Sequence, residues 1–136
     1  PQEIEKFINL RKEPLINGKE PKDIAPIVAS TLIGNANNIS AYEQLVNSME
    51  LLHKESYLKT IETSMRTEHR HVFKTIDLPT FIMVGELDTL TPPSMSKEIM
   101  KEIKNSRLSI IPNAGHLSNI ENPKVFNQKL LEFLDS

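Results

Sequence analysis

Apolar residues over positions 1–78 recur at helical spacing and do not alternate as they would in a half-buried strand. Four such stripes can be traced. Each is short and amphipathic, so none is expected to form a stable helix by itself. Together they predict a small layer of helices that covers another part of the molecule. The stripes are Ile4, Phe7 and Ile8; Ile24, Ile27, Val28 and Leu32; Leu45, Val46, Met49 and Leu52; and Tyr57, Leu58, Ile61 and Met65.

Local signals predict where two of these helices begin and end. Pro21 is suited to open the second helix, because the N–H group that proline lacks would be unpaired at that position anyway. Gly34 is expected to end the same helix. Ser40 followed by Glu43 is typical of a capping box, which predicts the start of the third helix.

Residues 79–136 show a different pattern, with two apolar runs that suit buried strands. One run is Thr80–Gly85 and the other covers 108–112, and neither alternates in polarity, as expected for strands covered on both faces in a parallel sheet. A helical stripe lies between them at 94–104, and an Asn-Pro pair opens a last helix over 123–135. The region therefore predicts an α/β fold in which strand, helix, strand and helix follow one another and the strands are parallel.

Composition narrows the class of protein. The 136 residues carry a net charge of -2, which gives no electrostatic basis for binding nucleic acid or an acidic membrane surface. The absence of cysteine excludes a disulfide scaffold, a thiolate nucleophile and thiolate-ligated zinc from these residues. No apolar run is long enough to span a membrane and no leader-like start is present, so a cytoplasmic protein is expected. Because the chain begins at Pro1 rather than at Met, we expect a processed or truncated N-terminus.

Candidate chemistry lies in the loops that follow the two predicted strands. Asp88 follows the first strand and His116 follows the second. Since parallel neighbours end at the same edge of a sheet, we expect the two side chains to meet there. A carboxylate beside an imidazole makes a general base, because it fixes the tautomer and stabilises the imidazolium. Gly115 allows a tight turn just before the histidine.

Each of these residues also has a simpler interpretation. A loop aspartate among proline and threonine is commonly a turn residue, and a histidine after glycine is commonly a surface side chain. Their joint position at the ends of successive strands is what favours catalysis. His69 and His71, beside Glu68, are better explained as part of a charged solvated face than as a zinc site, because no third ligand is visible. No metal or cofactor is expected.

Two segments resemble a known family. Residues 78–93, LPTFIMVGELDTLTPP, resemble the acid-bearing strand and loop of α/β-hydrolase fold enzymes, and residues 113–123, NAGHLSNIENP, resemble their histidine loop. A helical cap followed by these segments is the usual order in that family. The resemblance thus implies a partial α/β-hydrolase fold, with a helical cap over 1–77 and the C-terminal β-α-β-α part of the core over 78–136. The His-Leu-Ser-Asn stretch is similar to the 3-oxoadipate enol-lactonase-like subgroup.

The resemblance also implies roles for particular residues. Asp88 corresponds to the acid of a catalytic triad, His116 to its base, and Leu117 to a position that often faces the substrate. The nucleophile of the family is a serine in a Gly-x-Ser-x-Gly turn that precedes the acid in the chain. We expect no nucleophile within these residues, because no serine has one glycine two positions before it and another two positions after it. The four glycines are Gly18, Gly34, Gly85 and Gly115.

The expected function is that of the C-terminal portion of a serine hydrolase that acts on a small ester, lactone or similar carbonyl substrate. The chain alone is expected to be inactive. The alternative is a non-catalytic truncated module that serves self-association or partner binding, and an in-frame upstream Gly-x-Ser-x-Gly sequence would favour the hydrolase. Because two parallel strands leave open edges and apolar faces, we also expect a homo-oligomer, in the form of a two-fold dimer.

Overall fold

The computed structural model describes residues 2–136, apart from the side chain of Glu3. Two short 3-10 helices, Pro21–Ile24 and Arg70–Thr75, interrupt the regular elements. None of the helices in this described part of the chain is long and apolar enough to cross a membrane. In chain order the regular elements are α1 (Gln2–Ile16), α2 (Ala25–Leu32), α3 (Ile39–Glu50), α4 (Lys54–Arg66), β1 (Thr80–Gly85), α5 (Pro93–Glu102), β2 (Ser106–Ile111), α6 (Ser118–Glu121) and α7 (Pro123–Leu134).

The residues of the four predicted stripes lie on helices except Leu52, which follows the end of α3, and some boundaries differ from those predicted. The second helix opens at Pro21 as a 3-10 turn and continues as α2 to Leu32, just before Gly34. The capping box predicted for α3 at Ser40 is wrong. The Ala41 N–H donates to the Asn38 side chain at 3.1 Å, so Asn38 caps this helix and lies before Ser40, the predicted cap.

Most of the helical residues form one compact unit, made of residues up to Ala29 together with Tyr42–Glu68. In it α1 packs against α4, and the ion pairs Lys12–Glu62 and Glu5–Arg66 join the two helices. The Arg11 guanidinium is buried over the Phe7 ring, 3.7 Å from its centroid. Leu15 and residues of the stripes supply the core of this unit. The core includes Ile8, Leu15, Ile24, Val28, Leu45, Met49 and Ile61.

The second unit combines Ser30–Ala41 with His69–Ser136. Its strands pair in parallel, with Thr80 opposite Ser106 and Gly85 opposite Ile111, which confirms the predicted parallel arrangement. Helix α5 connects the strands and packs on both of them, while α7 packs on β2. Phe81 of β1 stacks on Phe133 of α7 with ring centroids 5.0 Å apart.

The compact units do not divide at residue 78. Residues 30–41 and 69–77 group with the strands, although both stretches belong to the region that the sequence assigns to a cap. The hydrogen bonds that hold Ser30–Ala41 there span more than eighty positions of sequence, and most of them involve Glu121. Local patterns carry no sign of such contacts. The identification of residues 1–77 as a cap stays a prediction.

Candidate active site

The loops after β1 and β2 are joined to each other by hydrogen bonds. The Glu86 N–H donates to the Ile111 carbonyl at 2.9 Å, which extends the ladder by one residue beyond the strand. The Leu87 N–H donates to the Ala114 carbonyl at 2.8 Å, and the Asn113 N–H donates to the Glu86 carboxylate at 3.0 Å. The parallel register therefore continues into the loops and brings their tips together.

Asp88 is held in place by its own loop. One carboxylate oxygen, Oδ1, accepts the N–H groups of Leu90 and Thr91, both at 2.9 Å. The other oxygen, Oδ2, accepts the Thr91 hydroxyl at 2.8 Å. This is the turn role of the simpler interpretation, and it also aims Oδ2 at the neighbouring loop.

His116 meets that carboxylate, as expected from the positions of the two loops. Its Nδ1 lies 3.0 Å from Asp88 Oδ2 and 3.2 Å from the Thr91 hydroxyl. The Asp88 side chain is only 4% exposed, whereas that of His116 is 35% exposed. One face of the pair is therefore buried and supported by hydrogen bonds, and the other is open to solvent.

The environment of Asp88 favours its ionised form. Burial by itself raises the pKa of the carboxyl group, because it penalises the charge. The hydrogen bonds from the Thr91 backbone, the His116 ring and the Thr91 hydroxyl act in the opposite direction and outweigh it, so the pKa of Asp88 lies below its ordinary value of 3.8. The carboxylate is thus negative at neutral pH and faces an imidazole nitrogen.

Gly115 has no side chain to obstruct this loop, as predicted, and its role does not depend on a positive backbone angle. The positive backbone angle in this loop belongs to Asn113, with φ of 54°. Gly115 instead allows close approach, because a Cβ atom there would lie 2.3 Å from the Gly34 nitrogen. A Cβ atom on Gly85 would lie 2.0 Å from the Gly115 carbonyl oxygen. Three glycines therefore let the end of β1, the histidine loop and Ser30–Ala41 touch backbone to backbone.

Glu121 is a buried carboxylate at the site to which the sequence analysis gave no role. It lies at the end of the one-turn helix α6, which the periodicity did not predict, and it is 8% exposed. Its Oε1 accepts the Gly115 N–H at 2.9 Å, and its Oε2 accepts the N–H groups of Gly34 at 2.9 Å and Asn35 at 3.3 Å. The residue lies within the segment that resembles the histidine loop of the family, which is the signal that could have drawn attention to it.

The other candidate residues lie apart from this pair or have no contact that assigns a role. Leu117 follows His116, is half-buried, and lies at the start of α6. His69 and His71 are exposed, and the described residues contain no group of three or more side chains suited to hold a metal ion.

A cavity of about 250 Å³ lies near the first residues of the strands, away from the acid and base, and is lined by Phe81, Arg107, Leu108, Ser109, Lys129, Glu132 and Phe133.

The sequence of the chain matches a known protein family. The family described as alpha/beta hydrolase fold matches residues 5–123. Pimeloyl-(acyl-carrier protein) methyl ester esterase of Neisseria meningitidis is 26% identical over 77 residues, which are 57% of this chain and 30% of that protein. The chain thus spans less than a third of this relative's length.

Solved structures show the same fold. An esterase from Exiguobacterium antarcticum has a TM-score of 0.83 at 16% identity, covering 99% of this chain and 48% of that one. The enol-lactonase from Burkholderia xenovorans has a TM-score of 0.79 at 20% identity, covering 95% and 48%. The chain spans about half the length of each. Because the family match extends over most of the sequence and includes both strands and the Asp88–His116 pair, the chain belongs to the alpha/beta hydrolase fold family.

Proposed function

We propose that this chain supplies the acid and the base of a serine hydrolase that acts on a small ester, lactone or similar carbonyl compound. The observation that carries the proposal is the 3.0 Å contact between Asp88 Oδ2 and His116 Nδ1 beyond the ends of two parallel strands. With Nδ1 turned to the buried carboxylate, Nε2 lies on the opposite edge of the ring. The partial exposure of the His116 side chain leaves room there for a reacting group.

In this proposal Asp88 orients the base and His116 moves the proton. The ionised carboxylate keeps the proton of the neutral imidazole on Nδ1, so that Nε2 can accept a proton from a serine hydroxyl as that oxygen attacks the substrate carbonyl. The negative charge of Asp88 then stabilises the imidazolium. His116 returns the proton to the leaving group, and these steps call for neither a metal nor a cofactor.

We place the nucleophilic serine and the oxyanion-stabilising N–H groups outside residues 1–136. This is supported by the absence of a Gly-x-Ser-x-Gly turn from the sequence and by the half-length coverage of the solved relatives. A methyl ester esterase and an enol-lactonase among the relatives support an ester or lactone as substrate. In the same proposal Leu117, next to His116, borders the substrate and residues 1–77 form the cap.

The test is to express the chain in its natural genomic frame, including any upstream coding sequence, and to treat the product with a fluorophosphonate that labels activated serines. We expect labelling that is lost in His116→Ala and much reduced in Asp88→Asn. His53→Ala is the matched control, because His53 is an exposed histidine whose Nδ1 contacts only its local neighbour Ser56 at 3.1 Å among the described contacts. An unlabelled product without an in-frame Gly-x-Ser-x-Gly sequence would support a non-catalytic module instead.

The 136-residue chain should itself be inactive. An acid and a base without nucleophile and oxyanion hole give little catalysis, so hydrolysis of a nitrophenyl acetate should not exceed that of free imidazole at equal concentration. Turnover well above imidazole that disappears in His116→Ala would place a nucleophile inside the chain and refute this part of the proposal.

A further inference from the structure

We propose that Glu121 is a positioning residue for His116, which it holds through the backbone of the histidine loop. The proposal rests on the proposed function in one respect only, namely that His116 is the base. Its structural content, that Glu121 sets the approach of the His116 ring to Asp88, can be tested without any catalytic activity.

The two oxygens of Glu121 connect different parts of the second unit. Oε1 binds the N–H of Gly115 at 2.9 Å, and Oε2 binds the N–H of Gly34 at 2.9 Å over 87 positions of sequence. Asn35 adds a longer bond to Oε2 at 3.3 Å. Three backbone donors thus converge on one buried carboxylate, which is how a charge in a dry environment is compensated when no cation is beside it.

These bonds fix the backbone at the histidine and just before it. Gly115, which Glu121 binds, directly precedes His116, and the N–H of His116 itself donates to the Leu32 carbonyl at 2.8 Å. The Asn38 side chain also donates to the Glu121 carbonyl at 3.0 Å. The loop is therefore clamped to the Leu32–Asn38 stretch, and the position of the ring follows from that clamp. A displacement of about 1 Å at a reacting group is enough to impair catalysis.

Glutamine cannot replace this glutamate, although it has the same shape. A carboxamide offers one acceptor oxygen and one donor NH2 group. Whichever way it is turned, the NH2 group faces either the Gly115 N–H or the N–H groups of Gly34 and Asn35. Two N–H donors then face each other in a buried site, and the hydrogen bonds on that side of the residue are lost.

The experiment measures the His116 ring directly, by 15N NMR of the 136-residue chain. In the unaltered chain we expect a protected, low-field ring N–H resonance from the Nδ1 proton bound to Asp88. In Glu121→Gln that resonance should be lost or shifted toward the averaged tautomer signal of an exposed histidine such as His53. Glu121→Asp, which keeps both acceptors on a shorter side chain, should restore part of it.

A matched control separates positioning from a loss of stability. Ile103→Val removes a methylene from a residue that is 5% exposed at the end of α5, and it makes no change to the histidine loop. It should lower the urea midpoint but leave the His116 ring resonance unaltered. An unshifted His116 resonance in folded Glu121→Gln, or an equal shift in Ile103→Val, would overturn the proposal.

A measurement on the unaltered chain decides the matter if Glu121→Gln does not fold. Because each amide donates to an oxygen of the buried Glu121 carboxylate, the N–H groups of Gly34 and Gly115 should both be protected from hydrogen exchange. Exchange of either amide at the rate of an unstructured peptide would overturn the clamp. Absence of fluorophosphonate labelling would refute the proposed function and leave these results as they stand.

Discussion

Replacing Gly115 with alanine should destabilise the chain far more than the same replacement at Gly18, where a Cβ atom meets open space. The new Cβ atom would lie 2.3 Å from the Gly34 nitrogen and 2.8 Å from the Leu32 carbonyl oxygen. Ordinary contacts begin at 3.4 Å, so the two backbones must separate by about 1 Å. Both partners are backbone atoms, and no rotamer change can relieve the overlap.

The magnitude follows from what that separation breaks. Overpacking of a tight site costs about 1–3 kcal/mol by itself. The same movement breaks two hydrogen bonds, from the His116 N–H to the Leu32 carbonyl and from the Gly34 N–H to the Glu121 carboxylate. The loss of each hydrogen bond costs about 1–3 kcal/mol. We therefore expect a loss of about 3–9 kcal/mol, a large share of the roughly 5–15 kcal/mol that stabilises a typical domain.

The assay is urea unfolding followed by far-UV circular dichroism, with Gly18→Ala as the matched control. Gly18 has φ of +94° and no atom within 4 Å of a Cβ position, so its replacement should cost only the backbone strain of about 1–2 kcal/mol. If Gly115→Ala is no more destabilising than Gly18→Ala, the reasoning from close approach is wrong. Hydrogen exchange at Gly34 provides a local check, because its protection should fall in Gly115→Ala alone.

Three further predictions concern the acid–base pair and assembly. Since the pKa of Asp88 is lower in the folded chain than its ordinary 3.8, its stabilising contribution is complete above that value and is lost as the pH falls through the folded pKa. In a plot of the urea midpoint against pH, Asp88→Asn should therefore lose less stability than the unaltered chain as the pH falls below 3.8, and identical slopes there would contradict this. Thr91→Val removes the hydroxyl bond to Asp88 and should cost about 1 kcal/mol, whereas Thr91→Ser should retain it; identical midpoints for the two variants would count against the contact. Self-association through the strand edges and the exposed Leu131 and Leu134 of α7 should give a mass above 15.5 kDa in light scattering at micromolar concentration, and a monodisperse monomer would refute it.

The strands and the acid–base contact could be predicted because their signals are local. The apolar run between Pro79 and Glu86 coincides with β1, and the parallel pairing follows from the length of the crossover. Once the strands are parallel, the loops that follow them must end at one edge. The meeting of Asp88 and His116 is then a consequence of topology rather than of a long-range pattern.

The clamp around the histidine loop could not be predicted in the same way. Helix α6 has only four residues, which is too short for a periodic stripe, so Glu121 had no predicted face. The sequence predicts only that Gly34 ends a helix. No pattern in the neighbouring residues shows that its N–H donates to a carboxylate 87 positions away. The misplaced cap of α3 has a local cause, because Asn38 competes with Ser40 for the same role and both are good capping residues.

The long span of the clamp has a consequence for the order of folding. The β1–β2 register joins Thr80 to Ser106 across one crossover, whereas the bond between Gly34 and Glu121 closes a loop of 87 positions. Each doubling of a flexible loop adds about 0.6 kcal/mol of closure entropy, and contacts of high sequence separation slow folding. The strand pair should thus be in place in the transition state while the histidine loop is still free, with fractional φ-values for Val84→Ala and values near zero for Glu121→Asp. A value near one at Glu121 would reverse this order. On this scheme the acid is oriented early, and the base acquires its final position only in the last stage of folding.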